Sequence, residues 1–174
     1  MNLREEILKE HSKKQCAAIV AWVGSSQKRF DALFSLFMYD EEYRVVQRAA
    51  GPVSYCVEAH SALIHKHYEN LVKKLREPGI PDAVKRNSTR LLQYVNIPEK
   101  WQGAVMDICF GYISIPGESI ATRAFSMTVL ANMAKQYPGI IPELKLMIEE
   151  QAGNESPALK NRSKKILKGL QKSQ

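Results

Sequence analysis

Phe30-Asp31-Ala32-Leu33-Phe34-Ser35-Leu36-Phe37 decides the fold of this 174-residue chain, because its pattern returns three times at intervals of 38 residues. The returns begin at Tyr68, Met106 and Leu144. Phe30, Tyr68, Met106 and Leu144 form one apolar column, and Leu33, Leu71, Cys109 and Met147 a second. Phe34, Val72, Phe110 and Ile148 form the third, and Phe37, Leu75 and Ile113 a fourth that breaks at Gln151. The spacing i, i+3, i+4, i+7 is one face of an α-helix. The column beside the first is charged throughout: Asp31, Glu69, Asp107, Lys145. A buried and a solvated face therefore recur together, which is the signature of a repeat architecture.

A second helix follows in each copy. Val45, Ala83, Ala121 and Leu159 share a column, as do Val53, Leu91, Val129 and Leu167. Ser119 and Ser156-Pro157 supply cap-then-first-turn chemistry, and Pro98, Pro116, Pro138 and Pro142 fall between helices. Gly51-Pro52 is expected to kink or split the second helix of the first copy. Leu3 to Val23 reads as one N-terminal helix, with Ile7 and Ile19 in the apolar columns. The expectation is a single all-α domain over residues 1–174, a short right-handed α-α superhelix of nine helices. It comprises an N-terminal capping helix (1–26) and four helical pairs (27–60, 61–97, 98–137, 138–174).

The best-formed copy is Ser119-Ile120-Ala121-Thr122-Arg123-Ala124-Phe125-Ser126-Met127-Thr128-Val129-Leu130, then Tyr137-Pro138 and Ile141-Pro142-Glu143-Leu144. It resembles the small-x-Arg-Ala second helix, Pro-marked turn and Leu-rich first helix of HEAT-repeat, armadillo-type proteins. Ser156 to Leu167 is similar to that family's end caps. The resemblance covers roughly residues 27 to 170 and implies a non-catalytic scaffold that holds a protein partner on its concave face. Gly51-Pro52 departs from the pattern, as do Asn87 and Arg90 near the core face of the second copy. The end region is also similar to small bacterial HEAT-like proteins sometimes named adenylosuccinate lyase. Such lyases resemble long helical-bundle tetramers with a Ser-rich catalytic loop, and this chain has neither, so the name reads as an error.

Composition excludes several other classes. Hydrophobic residues make up 45% and charged residues 25%, which is globular rather than disordered. No apolar run approaches the ~18 residues of a membrane span. The amino terminus mixes both charges and lacks a signal-peptide core. Three cysteines, Cys16, Cys56 and Cys109, form an odd set among helical neighbours. Buried free thiols and a cytoplasmic location are therefore expected. No nucleotide-binding, hydrolase or metalloprotease motif is present, and no cofactor is implied.

Three sites remain to be weighed. His60, His65 and His67 could ligate a metal only if they converged, and they lie where one helix ends and the next begins. Some HEAT-like proteins are DNA glycosylases that use an Asp with aromatic side chains, which draws attention to Asp107 and Trp101. Asp107, however, falls in the charged solvated column, so this reading ranks last. The third site is the charge itself. The net charge of +7 is concentrated in residues 66–90 (seven basic, three acidic) and 156–174 (six basic, none acidic), whereas residues 91–155 are net acidic. Lys160, Lys164, Lys168 and Lys172, with Lys165 beside them, make an anion-binding strip on the last helix, suited to nucleic acid. An end cap, which must be polar outside, explains the same residues.

The preferred partner surface is the concave face of the second helices. Its polar column reads Gln47, Lys85, Arg123, Asn161, flanked by Arg44, Arg48, Tyr55, Arg86, Thr89 and Gln93. Arg and Tyr anchor protein interfaces because they are long, planar and rich in donors. The competing expectation is that Asp40–Arg44 and Asp82–Arg86 pairs, at i+4, tie repeats together.

Overall fold

The computed structural model describes residues 1–151 and 156–171. Ten α-helices and two short 3-10 helices account for most of them, with no strand among the described residues. The helices are α1 (Leu3–Lys9), α2 (Lys13–Val23), α3 (Gln27–Tyr39), α4 (Tyr43–Ala59), α5 (Tyr68–Leu75), α6 (Asp82–Leu92), α7 (Glu99–Ser114), α8 (Ile120–Met133), α9 (Ile141–Gln151) and α10 (Pro157–Gln171). The chain clusters into two compact units, Met1–Trp101 and Gln102–Gln174.

The apolar columns supply most of the core, although Met106, Phe110, Ala121, Met147 and Leu167 are only half-buried. Phe30, Leu33, Phe34 and Phe37 are buried, as are Tyr68, Leu71, Val72 and Leu75, then Cys109 and Ile113, then Leu144 and Ile148. In the second helices Val45, Val53, Ala83, Leu91, Val129 and Leu159 are buried. In the first unit α3 packs on α4, and α4 packs in turn on α2 and on α6, so the second helices lie side by side. In the second unit α8 packs on both α9 and α10.

Two expectations are corrected. Leu3 to Val23 is a pair of helices, broken at Glu10-His11-Ser12. Ser12 Oγ caps α2 by accepting the Gln15 backbone N–H at 3.1 Å, and Gln15 Nε2 donates back to the Glu6 carbonyl at 2.7 Å. That reciprocal satisfaction of helix-end groups fixes a new start where a continuous helix was expected. It is also why ten α-helices are present among the described residues rather than the nine expected. Gly51-Pro52, in turn, does not split α4, which runs through Pro52 to Ala59. Pro52 removes only the N–H that would have reached Arg48, and its ring is buried in the core.

The departures at Asn87 and Arg90 are also resolved. Asn87 is buried and donates its side-chain amide to the Ala83 carbonyl at 3.0 Å, so its polarity is satisfied within α6. Arg90 belongs to the next subsection.

Candidate functional site

The second helices of the first unit build one surface. Along α4 the exposed positions Arg44, Gln47, Tyr55 and Glu58 follow helical spacing on one face. The side chains of Arg44 and Gln47 make no hydrogen bond or ion pair among the described residues. Tyr55 is 49% exposed and Tyr94, just beyond α6, is 42% exposed. Large exposed aromatics grouped around a cation are the side chains that concentrate binding energy at protein interfaces.

The cation is Arg90. Its guanidinium donates to Ser54 Oγ and to Glu58 Oε2, both at 2.6 Å, and so ties α6 to α4. The same group lies over the Tyr55 ring at 4.3 Å and near the Tyr94 ring at 5.4 Å. Tyr55 and Tyr94 are thereby held in place while remaining open to solvent. Pre-organised aromatics lose little entropy on binding.

Next to this cluster a groove of about 500 Å³ opens between α2 and α4. Cys16, Ala17, Val20 and Ala59 supply apolar walls, and Lys13 and Glu58 stand at the edges with opposite charges. Small side chains on α2 leave room for an aliphatic or aromatic side chain from outside. The two edge charges suit a peptide, which carries donors and acceptors, better than a polyanion.

Of the other expected surface residues, several are already occupied. Arg48 is half-buried and donates to the Leu8 carbonyl at 2.7 Å, closing the carboxyl end of α1. Arg86 stands 3.9 Å from Asp82, as expected at i+4. Gln93 donates to the Arg90 carbonyl at 3.1 Å. Lys85 is half-buried, and Asn161 is exposed on α10. Thr89 is fully buried, its hydroxyl turned back onto the Lys85 and Arg86 carbonyls, so it does not belong to the surface. Arg123 is only 9% exposed, so it is not an open anchor as the polar column suggested. Asp40 does not pair with Arg44, because α4 begins at Tyr43 and Asp40 lies outside it. Asp40 instead accepts Arg4 Nε at 2.9 Å, and this hydrogen bond, together with the adjacent positive charge, holds its carboxyl below the usual range.

The histidines do not converge. His67 is buried, with its Nε2 2.7 Å from Asp31 Oδ1 and its ring 4.2 Å from Phe34. His65 stacks on Tyr68, and His60 is exposed at the end of α4. Among the described residues no group of three His, Cys, Asp or Glu is placed to hold a metal. Asp31 also accepts Lys66 Nζ at 2.6 Å and Gln27 Nε2 at 2.9 Å. Burial alone would raise its pKa, but the bonds from Lys66, Gln27 and His67 together bring it below the ordinary carboxylate value. Asp107 is exposed on α7, and Trp101 is half-buried with Lys100 over its ring at 4.8 Å.

On α10, Lys160, Lys164, Lys165 and Lys168 are all exposed, while Lys172 lies outside the described residues. Among the described residues no helix is long and apolar enough to cross a membrane.

The cluster of Arg90, Tyr94 and the α2–α4 groove is what sequence reasoning missed. Arg90 stood out only as an interruption of the core pattern. A single capping helix over Leu3 to Val23 gives Lys13, Cys16, Ala17 and Val20 no distinct face, so the sequence pattern does not single them out.

A family model described as a HEAT repeat domain matches residues 3–170 of the chain. No curated protein and no solved structure matches. Nothing in the match supports a lyase name.

Proposed function

The chain belongs to the HEAT repeat domain family, and from that premise we propose that it is a non-catalytic binding module holding a protein partner on the α2–α4–α6 face. One observation carries the reading: Arg90 clamps two exposed tyrosines beside an apolar groove with balanced edge charges. A partner segment would seat an apolar side chain between Ala17, Val20 and Ala59. Its backbone or polar groups would meet the Tyr55 and Tyr94 hydroxyls, with Arg44 and Gln47 free to add contacts. The repeat boundaries at residues 27, 61, 98 and 138, the single-domain reading and a cytoplasmic location belong to the same proposal.

The test is affinity capture with the wild-type chain and a Tyr55→Ala/Tyr94→Ala variant, both nuclease-treated. A stoichiometric protein retained by the wild type and lost by the folded variant supports the proposal. Equal retention by both contradicts it.

Nucleic-acid binding through α10 is the second reading, and the exposed Lys160, Lys164 and Lys168 are what favour it. Contacts to phosphate weaken steeply with salt. Binding that survives about 0.5 M salt would count against it.

A further inference from the structure

The α2–α4 groove has a length and a set of hydrogen-bonding side chains that narrow its partner further. Its α2 wall runs from Lys13 through Cys16 and Ala17 to Val20, seven steps of about 1.5 Å, or about 10 Å in all. The polar side chains around it can mainly donate. The Tyr55 and Tyr94 hydroxyls are exposed and make no hydrogen bond among the described residues. Lys13 is exposed at the mouth and makes no ion pair among them. Glu58, the one carboxylate lining the groove among the described residues, already accepts Arg90 Nη2 at 2.6 Å. The Arg90 charge is felt inside the groove: burial raises the Cys16 thiol, and Arg90 pulls it back in part.

From these features we propose that the groove binds a proline-rich segment in the polyproline II conformation. Two prolines three positions apart seat along the Ala17–Val20 wall beside Tyr55, and an acidic residue next to them meets Lys13. The proposal rests on the reading of the α2–α4–α6 face as the partner surface and names that partner's chemistry. A polyproline II helix has three residues per turn and rises about 3.1 Å per residue, so the two prolines stand about 9 Å apart, the length of the groove. Proline has no N–H, so the segment offers carbonyl acceptors with few donors, the complement of two hydroxyls and an ammonium. Proline rings pack on aromatic side chains, and Arg90, over the Tyr55 ring at 4.3 Å, fixes that ring in place.

Other peptide conformations fit less well. An amphipathic helix bonds its own backbone groups, so it brings acceptors to the hydroxyls only from side chains. An added β-strand needs a sheet edge, and the described residues contain no strand. A proline-rich segment is also stiff before it binds, so it loses little entropy against a wall already held by Arg90.

Selection from a displayed library of random dodecapeptides tests it, with the full chain as bait and circular dichroism confirming that each variant is folded. On the wild type, prolines three apart should rise about ten-fold or more above their starting frequency, with Asp or Glu beside them. A selected peptide carrying a neutral dye should weaken about ten-fold or more with Tyr55→Ala/Tyr94→Ala, and equally when its prolines become alanine. Tyr55→Phe/Tyr94→Phe keeps the rings and removes only the hydroxyls, and should weaken binding about five-fold or more. No enrichment of proline overturns the proposal, as does a proline-rich peptide that binds Tyr55→Ala/Tyr94→Ala undiminished. Apolar residues enriched at helical spacing, and lost with Tyr55→Ala/Tyr94→Ala, overturn it too but leave the α2–α4–α6 face standing as the partner surface. Selected peptides of any pattern that ignore both substitutions contradict the proposal and that face together.

Discussion

Replacing Arg90 with Met should destabilise the first unit by about 3 kcal/mol, and the structure apportions that loss. Ser54 is fully buried, and Arg90 is the donor to its hydroxyl. Leaving a buried hydroxyl unsatisfied costs about 1–3 kcal/mol. The Glu58 partner is 38% exposed, so that ion pair is worth only about 0.5–1 kcal/mol. Stacking over Tyr55 adds about 0.5–1 kcal/mol at a partly exposed site. Methionine retains the apolar stem, so these polar losses dominate the change. For a chain of this length the midpoint of thermal unfolding should fall by about 6–12 °C. Urea denaturation followed by circular dichroism measures the free energy directly. The decisive arm is Ser54→Ala. In the wild-type background it removes a partner and should destabilise by about 1 kcal/mol. In the Arg90→Met background it removes an orphaned hydroxyl and should recover about 1 kcal/mol. A loss below about 1 kcal/mol for Arg90→Met would refute the reasoning, as would the same sign and size for Ser54→Ala in both backgrounds.

Gly51→Ala should stabilise the chain by about 0.5–1 kcal/mol, since helix interiors disfavour glycine and the new Cβ would sit 3.7 Å from Cys16 Sγ, an ordinary contact. Chemical denaturation measures it, and destabilisation would show that α4 and α2 pack more tightly than described. Asp31 has a lowered pKa, so its contribution is complete above the unfolded value of about 4 and is lost as pH falls through the lower folded value. The stability gap between wild type and Asp31→Asn should therefore be constant from about pH 6 upward and close in acid; a gap that widens in acid would contradict this sign. Burial pushes the Cys56 and Cys109 thiols up to about 12 and raises Cys16 as well. A disulfide reagent near neutral pH should modify half-buried Cys16 first and slowly, and the other two only on unfolding. Rapid modification of all three in the folded chain would show that the core described around them is open.

The fold was legible because repetition amplified a weak signal. Any one of Phe30, Tyr68, Met106 and Leu144 is unremarkable, yet their common register predicted a buried column, and Phe30, Tyr68 and Leu144 are buried. The break between α1 and α2 had a local signal, Ser12 followed three residues later by Gln15, which is capping-box spacing. It was outweighed by the apolar run Cys16–Val23. Pro52 misled in the opposite direction, because one missing N–H is a smaller loss than the burial of the surrounding turn. The candidate site was less legible because its parts lie on different helices. Tyr55 is legible as an anchor from its column, but Arg90 reaches back 36 positions to Ser54, and no helical spacing reveals such a contact. A repeat column, which is all that marks Arg48 and Arg123 in the sequence, identifies a face but not whether a guanidinium is already engaged or enclosed.

Site-specific photocrosslinking in living cells tests the central claim most directly. A photoreactive phenylalanine would replace Tyr55 in one chain, and Leu146, exposed on α9, in another. A single protein adduct at position 55 that is absent at position 146, and lost when Val20→Lys fills the neighbouring groove, is the predicted result. Identical adducts from both positions, crosslinks to nucleic acid alone, or no adduct at position 55 would contradict a partner seated on the α2–α4–α6 face.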